Sequence, residues 1–416
     1  MYKKTVLDNG IKVITEEMPF FKSATIGVWV NTGSKDEPLS KNGISHFIEH
    51  MMFKGTATRS ATEIAELMDS VGGQLNAFTE KEQTCYYARV IDRHVPMAIE
   101  LLADMLLNSC YDPEEIERER GVVLDEVRLY EDSPDELIFD IFNKLLWDGH
   151  PLGRSILGTK KVIERISRDD LIAHVEKHYV AENLIIAAAG NIKHKEFRKL
   201  VERSFHRAGE WKGRKPGSRP VPEHEKKNYV KYKDCEQVYL ITGGKGISQR
   251  DDHKYCLSVL DSILGGSMSS RIFQEIREKR GLVYNVCSFQ NSFYHAGLFG
   301  LFAGTSYENL SKVISLMYQI VKEMKEKGVD SKELVRAKEQ LKGTISLALE
   351  STSNRMMRLV KSEIFHGRLV PHEEVFEKID AVTVDELFSL SQQLLNIDGY
   401  STAILGPLEK GFQFSF

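Results

Sequence analysis

Cysteine is scarce: five residues in 416, odd in number and with no C-x-x-C pair, give no basis for a disulfide framework. Cys85, Cys110, Cys235, Cys256 and Cys287 therefore read as ordinary reduced thiols. Long apolar runs are missing too, since no stretch approaches the ~18 residues of a membrane span. Charge of one sign is not in excess, with 56 Lys and Arg against 60 Asp and Glu for a net of −4, so neither nucleic acid nor a membrane surface is called for as partner. The opening M-Y-K-K-T-V-L-D-N-G-I-K-V-I-T-E-E lacks an apolar leader core or an Arg-rich amphipathic one, and instead alternates like a strand with a turn at Asn9-Gly10. Gly265-Gly266 has no G-x-x-x-x-G-K-[ST] pattern around it, so it reads as a turn before a helix rather than a phosphate loop.

What the chain does have begins at Gly43 to Lys54, G-I-S-H-F-I-E-H-M-M-F-K. His46 and His50 are four apart and Glu49 is three from His46, spacings that stack side chains on adjacent turns of one helical face. Two neutral imidazoles are good Zn²⁺ ligands, and a carboxylate beside them can take a proton from metal-bound water. The order H-x-x-E-H reverses the commoner H-E-x-x-H and is itself a zinc-protease signature. The same spacing also arises by chance on helices. A second set, His174, Glu176 and His178, fails the geometric test because Glu176 is two residues from either histidine and points to the opposite face, which predicts a solvated helix end.

Asp112-Pro113-Glu114-Glu115 is a helix start, with Asp as N-cap, Pro at the first helical position and Glu at the third. That helix carries Glu119 and Glu126, seven apart and on one face. H-x-x-E-H followed by this interval and a Glu inside E-R-E-R-G-V-V-L-D-E resembles the pitrilysin/insulinase clan of zinc peptidases, in particular its processing-peptidase branch. The resemblance implies His46, His50 and Glu126 as ligands of one Zn²⁺ per chain, Glu49 as general base, and Glu119 as a carboxylate supporting the ligands from behind. It also implies an α+β fold of two related halves, each a mostly antiparallel sheet packed with helices.

The order of predicted elements agrees. In the first half come a strand at Ser23 to Asn31, the metal helix, a helix at Ser60 to Val71 opened by the capping box S-A-T-E, and a hairpin of Gln74 to Thr79 with Thr84 to Val90. Helices follow at Pro96 to Leu107, from Pro113, and from Ser133-Pro134. Arg207 to Asp234, with Pro216, Pro220 and Pro222 near Gly213 and Gly217, reads as a linker. Beyond it the pattern returns: strand Gln237 to Gly243, helix Asp252 to Leu264, helix Ser269 to Arg280, strands Leu282 to Gln290 and Gly297 to Ala303, helix Tyr307 to Lys327. The expected domains are 1–206, zinc-binding and catalytic, and 235–416, related but without a metal triad, joined by 207–234.

G-G-S-M-S-S-R-I-F-Q-E-I-R-E-K-R-G-L-V-Y, Gly265 to Tyr284, also resembles the processing-peptidase branch. Arg277 and Tyr284 could simply be an amphipathic helix face and a strand tyrosine; the resemblance implies instead that this pair donates hydrogen bonds to a developing oxyanion. It further implies that Asn76-Ala77-Phe78-Thr79 is an edge strand beside the metal, where an unfolded peptide adds on through main-chain bonds. The remaining expectations are a homodimer with Arg277 and Tyr284 facing the partner's metal site, or a heterodimer with a related subunit. The place expected is the bacterial cytoplasm, or the mitochondrial matrix for a mature eukaryotic form. A non-catalytic scaffold, the competing class, would be expected to lack at least one of His46, Glu49, His50, Glu126, Arg277 and Tyr284; all six are present.

Overall fold

The computed structural model describes residues 2–210, 221–409, 412 and 414. The first sheet holds β1 (Tyr2–Val6), β2 (Lys12–Glu17), β3 (Ser23–Val30), β4 (Gln74–Thr79), β5 (Thr84–Ile91) and β6 (Leu184–Gly190) in the order β1-β2-β6-β3-β5-β4. The second holds β7 (Asn228–Tyr232), β8 (Val238–Lys245), β9 (Val283–Ser292), β10 (Gly297–Thr305) and β11 (Ser401–Gly406) in the order β7-β11-β8-β10-β9. Matching β2 to β6 with β7 to β11 in chain order reproduces the same spatial order. It also reproduces the same single parallel pair, β2 with β6 and β7 with β11, among antiparallel neighbours. The two halves are one α+β unit used twice, with β1 added at the edge of the first sheet.

In the first half the helices are α1 (Ile44–Met51), α2 (Ala61–Asp69), α3 (Val95–Asn108), α4 (Pro113–Asp132), α5 (Pro134–Leu146), α6 (Lys160–Ile163), α7 (Arg168–His178) and α8 (His194–Ser204). The second half contributes α9 (Lys254–Leu264), α10 (Leu310–Lys327), α11 (Ser331–Ala348), α12 (Thr352–His366), α13 (His372–Ala381) and α14 (Val384–Leu394). The helix expected at Ser269 to Arg280 contains a wider, π-helical stretch, Phe273–Glu278.

Alternation along the strands sends successive side chains to opposite faces, and both faces of the first sheet are covered. Val28, Tyr86, Ala88 and Ile186 pack with Phe47 and Ile48 of α1 and Ile99 and Leu102 of α3. Ile14, Trp29, Cys85 and Ala187 pack instead with Met356, Leu359 and Val360 of α12. Each Val, Leu, Ile, Phe or Met among these, fully buried, stabilises the fold by about 1.5–3 kcal/mol.

This packing corrects the contiguous domain boundaries 1–206 and 235–416. The compact units are Met1–Arg128 with Arg154–Arg219 and Ala348–Leu369, and Leu129–Gly153 with Pro220–Leu347 and Val370–Phe416. Each half lends one amphipathic helix: α12 closes the open face of the first sheet, while Ile138, Phe142 and Leu146 of α5 pack with Ile241, Leu298 and Leu405 of the second. The expected linker, 207–234, is shorter than drawn, because Asn228–Tyr232 pairs with β11 as β7. Its central portion, with Gly213, Pro216, Gly217 and Pro220, lies outside the described residues.

Candidate metal centre

The metal helix starts where only glycine fits. Gly43 has φ +99°, and a Cβ there would lie 2.6 Å from the Leu157 carbonyl oxygen. Ile44, Phe47, Ile48 and Met51 form the i, i+3, i+4, i+7 stripe that anchors α1 on the core, which leaves His46, Glu49 and His50 to its other faces. Helix α4 begins as its sequence directs, with Asp112 Oδ1 accepting the N–H of Glu114 at 2.9 Å and of Glu115 at 3.3 Å. It then presents Glu119 and Glu126 to α1.

His46 Nε2 stands 3.5 Å and His50 Nε2 3.4 Å from the same oxygen, Glu126 Oε2. Two donors each about 2.0–2.1 Å from a tetrahedral zinc are about 3.3–3.4 Å apart, so both distances to the Glu126 oxygen are close to the edge length that such an ion requires, and all three donors lie within 4.8 Å of one another. His46, His50 and Glu126 are the one group of this kind among the described residues. On the far side of the ring, His50 Nδ1 meets Glu119 Oε2 at 3.1 Å. That contact directs Nε2 toward the triad. His46 is buried, and burial holds its imidazole down at about pKa 4 despite Glu126, so it is neutral and ready to donate a lone pair. The hydrogen bond from His50 lowers the Glu126 carboxyl, which favours the ionised form that can bind a metal. For His50, burial works against the proton, but the hydrogen bonds to Glu126 and Glu119 outweigh it and raise the pKa.

Glu49 is raised by burial. Its Oε2 accepts a hydrogen bond from Thr79 Oγ1 at 2.5 Å. Thr79 ends β4, the edge strand whose other neighbour would be an added chain. Ala77 and Phe78 are half-buried there, and Asn76 is exposed, with its Oδ1 accepting the Ala77 N–H at 2.8 Å. Arg277 and Tyr284 belong to the second compact unit, where the guanidinium lies 5.6 Å from the Tyr284 ring centre and 4.8 Å from that of Phe273. Tyr284 is 76% exposed.

The second histidine set is not the solvated helix end expected from the sequence. His174 and His178 are buried with ring centres 4.5 Å apart, and desolvation pushes His174 down to about pKa 3. Their side of α7 packs on α1, where Ser45 Oγ lies 3.4 Å from His174 Nε2. The periodicity argument about Glu176 is sound; a histidine pair on the apolar face of α7 was the missing element.

Two supporting residues escaped the sequence reading. Lys54 Nζ pairs with Glu119 Oε1 at 2.5 Å, fixing the carboxylate that orients His50. Glu37 is buried, and its carboxylate accepts the Gly43 N–H at 2.7 Å, the Ser45 N–H at 2.8 Å and Asn42 Nδ2 at 2.8 Å. It therefore holds the first turn of α1. Lys54 could have been found from its position four residues after His50; a lone Glu in a loop offers no such signal.

The chain is similar to known proteins over nearly its whole length. Residues 12–160 match the family described as Insulinase (Peptidase family M16), and residues 165–341 match the Peptidase M16 inactive domain. A zinc protease of Bacillus subtilis, YmxG, is 40% identical over 407 residues, covering 98% of each chain. A zinc protease of Streptomyces coelicolor is 36% identical over 98% of this chain and 90% of its own. Among solved structures, a peptidase M16 inactive domain from Pseudomonas fluorescens superposes with a TM-score of 0.91 at 22% identity, covering 98% of both chains. A protease from Helicobacter pylori gives 0.88 at 21%, covering 98% and 99%. Fold, relatives and a ready triad of donors define a zinc metalloprotease. The chain belongs to the insulinase family, peptidase family M16.

Proposed function

We propose that this chain is an endopeptidase for unfolded segments, in which His46, His50 and Glu126 hold one Zn²⁺ per chain and Glu49 is the general base. The observation that carries the reading is the meeting of both imidazole Nε2 atoms on one oxygen of Glu126, with Glu49 between them in sequence. Zinc in such a site polarises a carbonyl and lowers the pKa of a bound water to about 7. The chain's own groups do the rest. Glu49, not counted as a ligand, takes the water proton on its carboxylate and returns it to the leaving amine. The substrate backbone pairs with the outer edge of β4 at Asn76, Ala77 and Phe78, which selects extended chain over folded protein. Arg277 and Tyr284 donate to the developing oxyanion. On the resemblance to the family, we assign the pair to the site of a second subunit in a homodimer, or of a related chain in a heterodimer.

No helix among the described residues is long and apolar enough to cross a membrane. The relatives are bacterial; a bacterial cytoplasm is the location proposed.

The test offers the zinc-loaded enzyme an unstructured peptide of a few tens of residues and a disulfide-locked globular domain, with Glu49→Gln as control. The peptide should be cut internally by the wild type alone. Efficient cutting of the locked domain, or turnover by Glu49→Gln, would contradict the reading.

A further inference from the structure

The general base has a built-in holder. Glu49 lies on α1 and carries three side-chain torsions, so nothing in the helix alone fixes where its carboxylate points. Among the described residues, the one side chain that hydrogen-bonds it is Thr79, whose Oγ1 donates to Oε2 at 2.5 Å. A hydroxyl donating to a carboxylate is a charge-assisted bond, short and about twice as strong as a neutral one. It occupies one carboxylate oxygen and leaves the other, Oε1, for chemistry.

Thr79 is itself well placed to act as a fixed reference. It is β-branched, so its χ1 is stiff. It pairs with Thr84 across the hairpin, which is closed by Glu80 N–H donating to the Gln83 carbonyl at 2.8 Å. The turn that follows is tied to the loop before α1: Ser34 N–H donates to the Glu80 carbonyl at 3.2 Å and Lys35 N–H to the Lys81 carbonyl at 2.8 Å. The same loop continues to Glu37, which grips the first turn of α1. One short segment, 33–37, thus sets both the end of β4 and the start of the helix that bears the base.

We infer that Thr79 is a positioning residue for Glu49, which makes the last residue of the edge strand the part that aims the general base at the bond to be cut. This rests on the reading of Glu49 as base. The strand would then have two separable duties. Its outer edge at Asn76 to Phe78 holds the peptide, and its terminal hydroxyl holds the carboxylate.

The test is Thr79→Val, which keeps the branched shape and removes the donor, beside Thr79→Ser, which keeps the donor, and Glu49→Gln. Each is assayed for kcat and KM on one unstructured peptide, for zinc content by elemental analysis, and for folding by denaturation. Thr79→Val should retain zinc and fold and lose kcat about 10- to 100-fold, the usual effect of removing a supporting hydrogen bond at such a site, with KM nearly unchanged. Thr79→Ser should recover most of kcat. Wild-type kcat in Thr79→Val while Glu49→Gln is dead would overturn the role of Thr79 alone. So would a loss confined to KM, or a Thr79→Ser as impaired as Thr79→Val. Turnover by Glu49→Gln would overturn the base assignment and the inference with it.

Discussion

Replacing Glu37 by Gln should loosen the metal helix without touching a ligand, and its cost follows from the donors it faces. Oε2 accepts from both Gly43 N–H and Asn42 Nδ2, and Oε1 from Ser45 N–H. A Gln with its oxygen at the first position keeps two of these bonds but sets its own N–H₂ against the Ser45 N–H. The opposite flip sets it against two donors. The better orientation still leaves one buried donor unsatisfied, about 1–3 kcal/mol, and weakens the two remaining bonds from charged to neutral. Opposing this, Glu37 is pushed up in pKa by burial, so neutralising it relieves part of a desolvation cost. The net expectation is a loss of about 2 kcal/mol, and more for Glu37→Ala, which removes the acceptor from all three donors and leaves only Asn42 Nδ2 another, the Ser155 carbonyl at 3.0 Å. Chemical denaturation after chelation measures it, since bound metal would otherwise add its own stabilisation. Stability within about 0.5 kcal/mol of wild type, the range of surface substitutions, would refute the claim that Glu37 holds α1.

Glu119→Gln and Lys54→Met should each weaken zinc retention, Glu119→Gln by about 10- to 100-fold, and the double variant should lose no more than Glu119→Gln alone, because Lys54 acts through Glu119; chelator competition reads this, and additive losses would separate the two residues. His174 is near pKa 3 in the fold and about 6.5 unfolded, so the unfolded chain binds one more proton between those values and stability falls as pH drops through 6.5 toward 3. His174→Leu should flatten that fall by about 1.4 kcal/mol per pH unit in denaturation curves, with an unchanged slope as the contrary result. Mixing Glu49→Gln chains with Tyr284→Phe chains should restore activity from two nearly inactive parents if sites are shared between subunits. No recovery, with exchange shown by the mass of mixed dimers, would leave a site completed within one chain or by a different partner.

The shared helical face of His46, Glu49 and His50 was legible because its signal is local, whereas Glu126, far along the chain, was joined to them only by the resemblance. Helical spacing sets His46, Glu49 and His50 by four residues of sequence, and α4 carries its own start signal in Asp112 and Pro113. The repeat was legible from element order, and the matched sheets show why: both arise from the same succession of strands. The exchange of α5 and α12 was not legible. Each is an ordinary amphipathic helix, and nothing in its periodicity says which sheet its apolar face will cover; that depends on open faces formed by strands far away in the chain. Glu37 was hidden for a similar reason, since a loop carboxylate gains meaning only when three donors converge on it. The burial of His174 and His178 shows the reverse error, in which polar residue types were read as solvated although α7 carries them on its packed face.

The central claim is that three residues hold the metal while a fourth, beside them, performs proton transfer. Zinc content and peptide turnover measured together on His50→Ala, Glu126→Gln and Glu49→Gln separate these roles. The account predicts that His50→Ala and Glu126→Gln lose both, whereas Glu49→Gln keeps stoichiometric zinc and loses turnover. Stoichiometric zinc in His50→Ala without added metal, or turnover in Glu49→Gln, would contradict it.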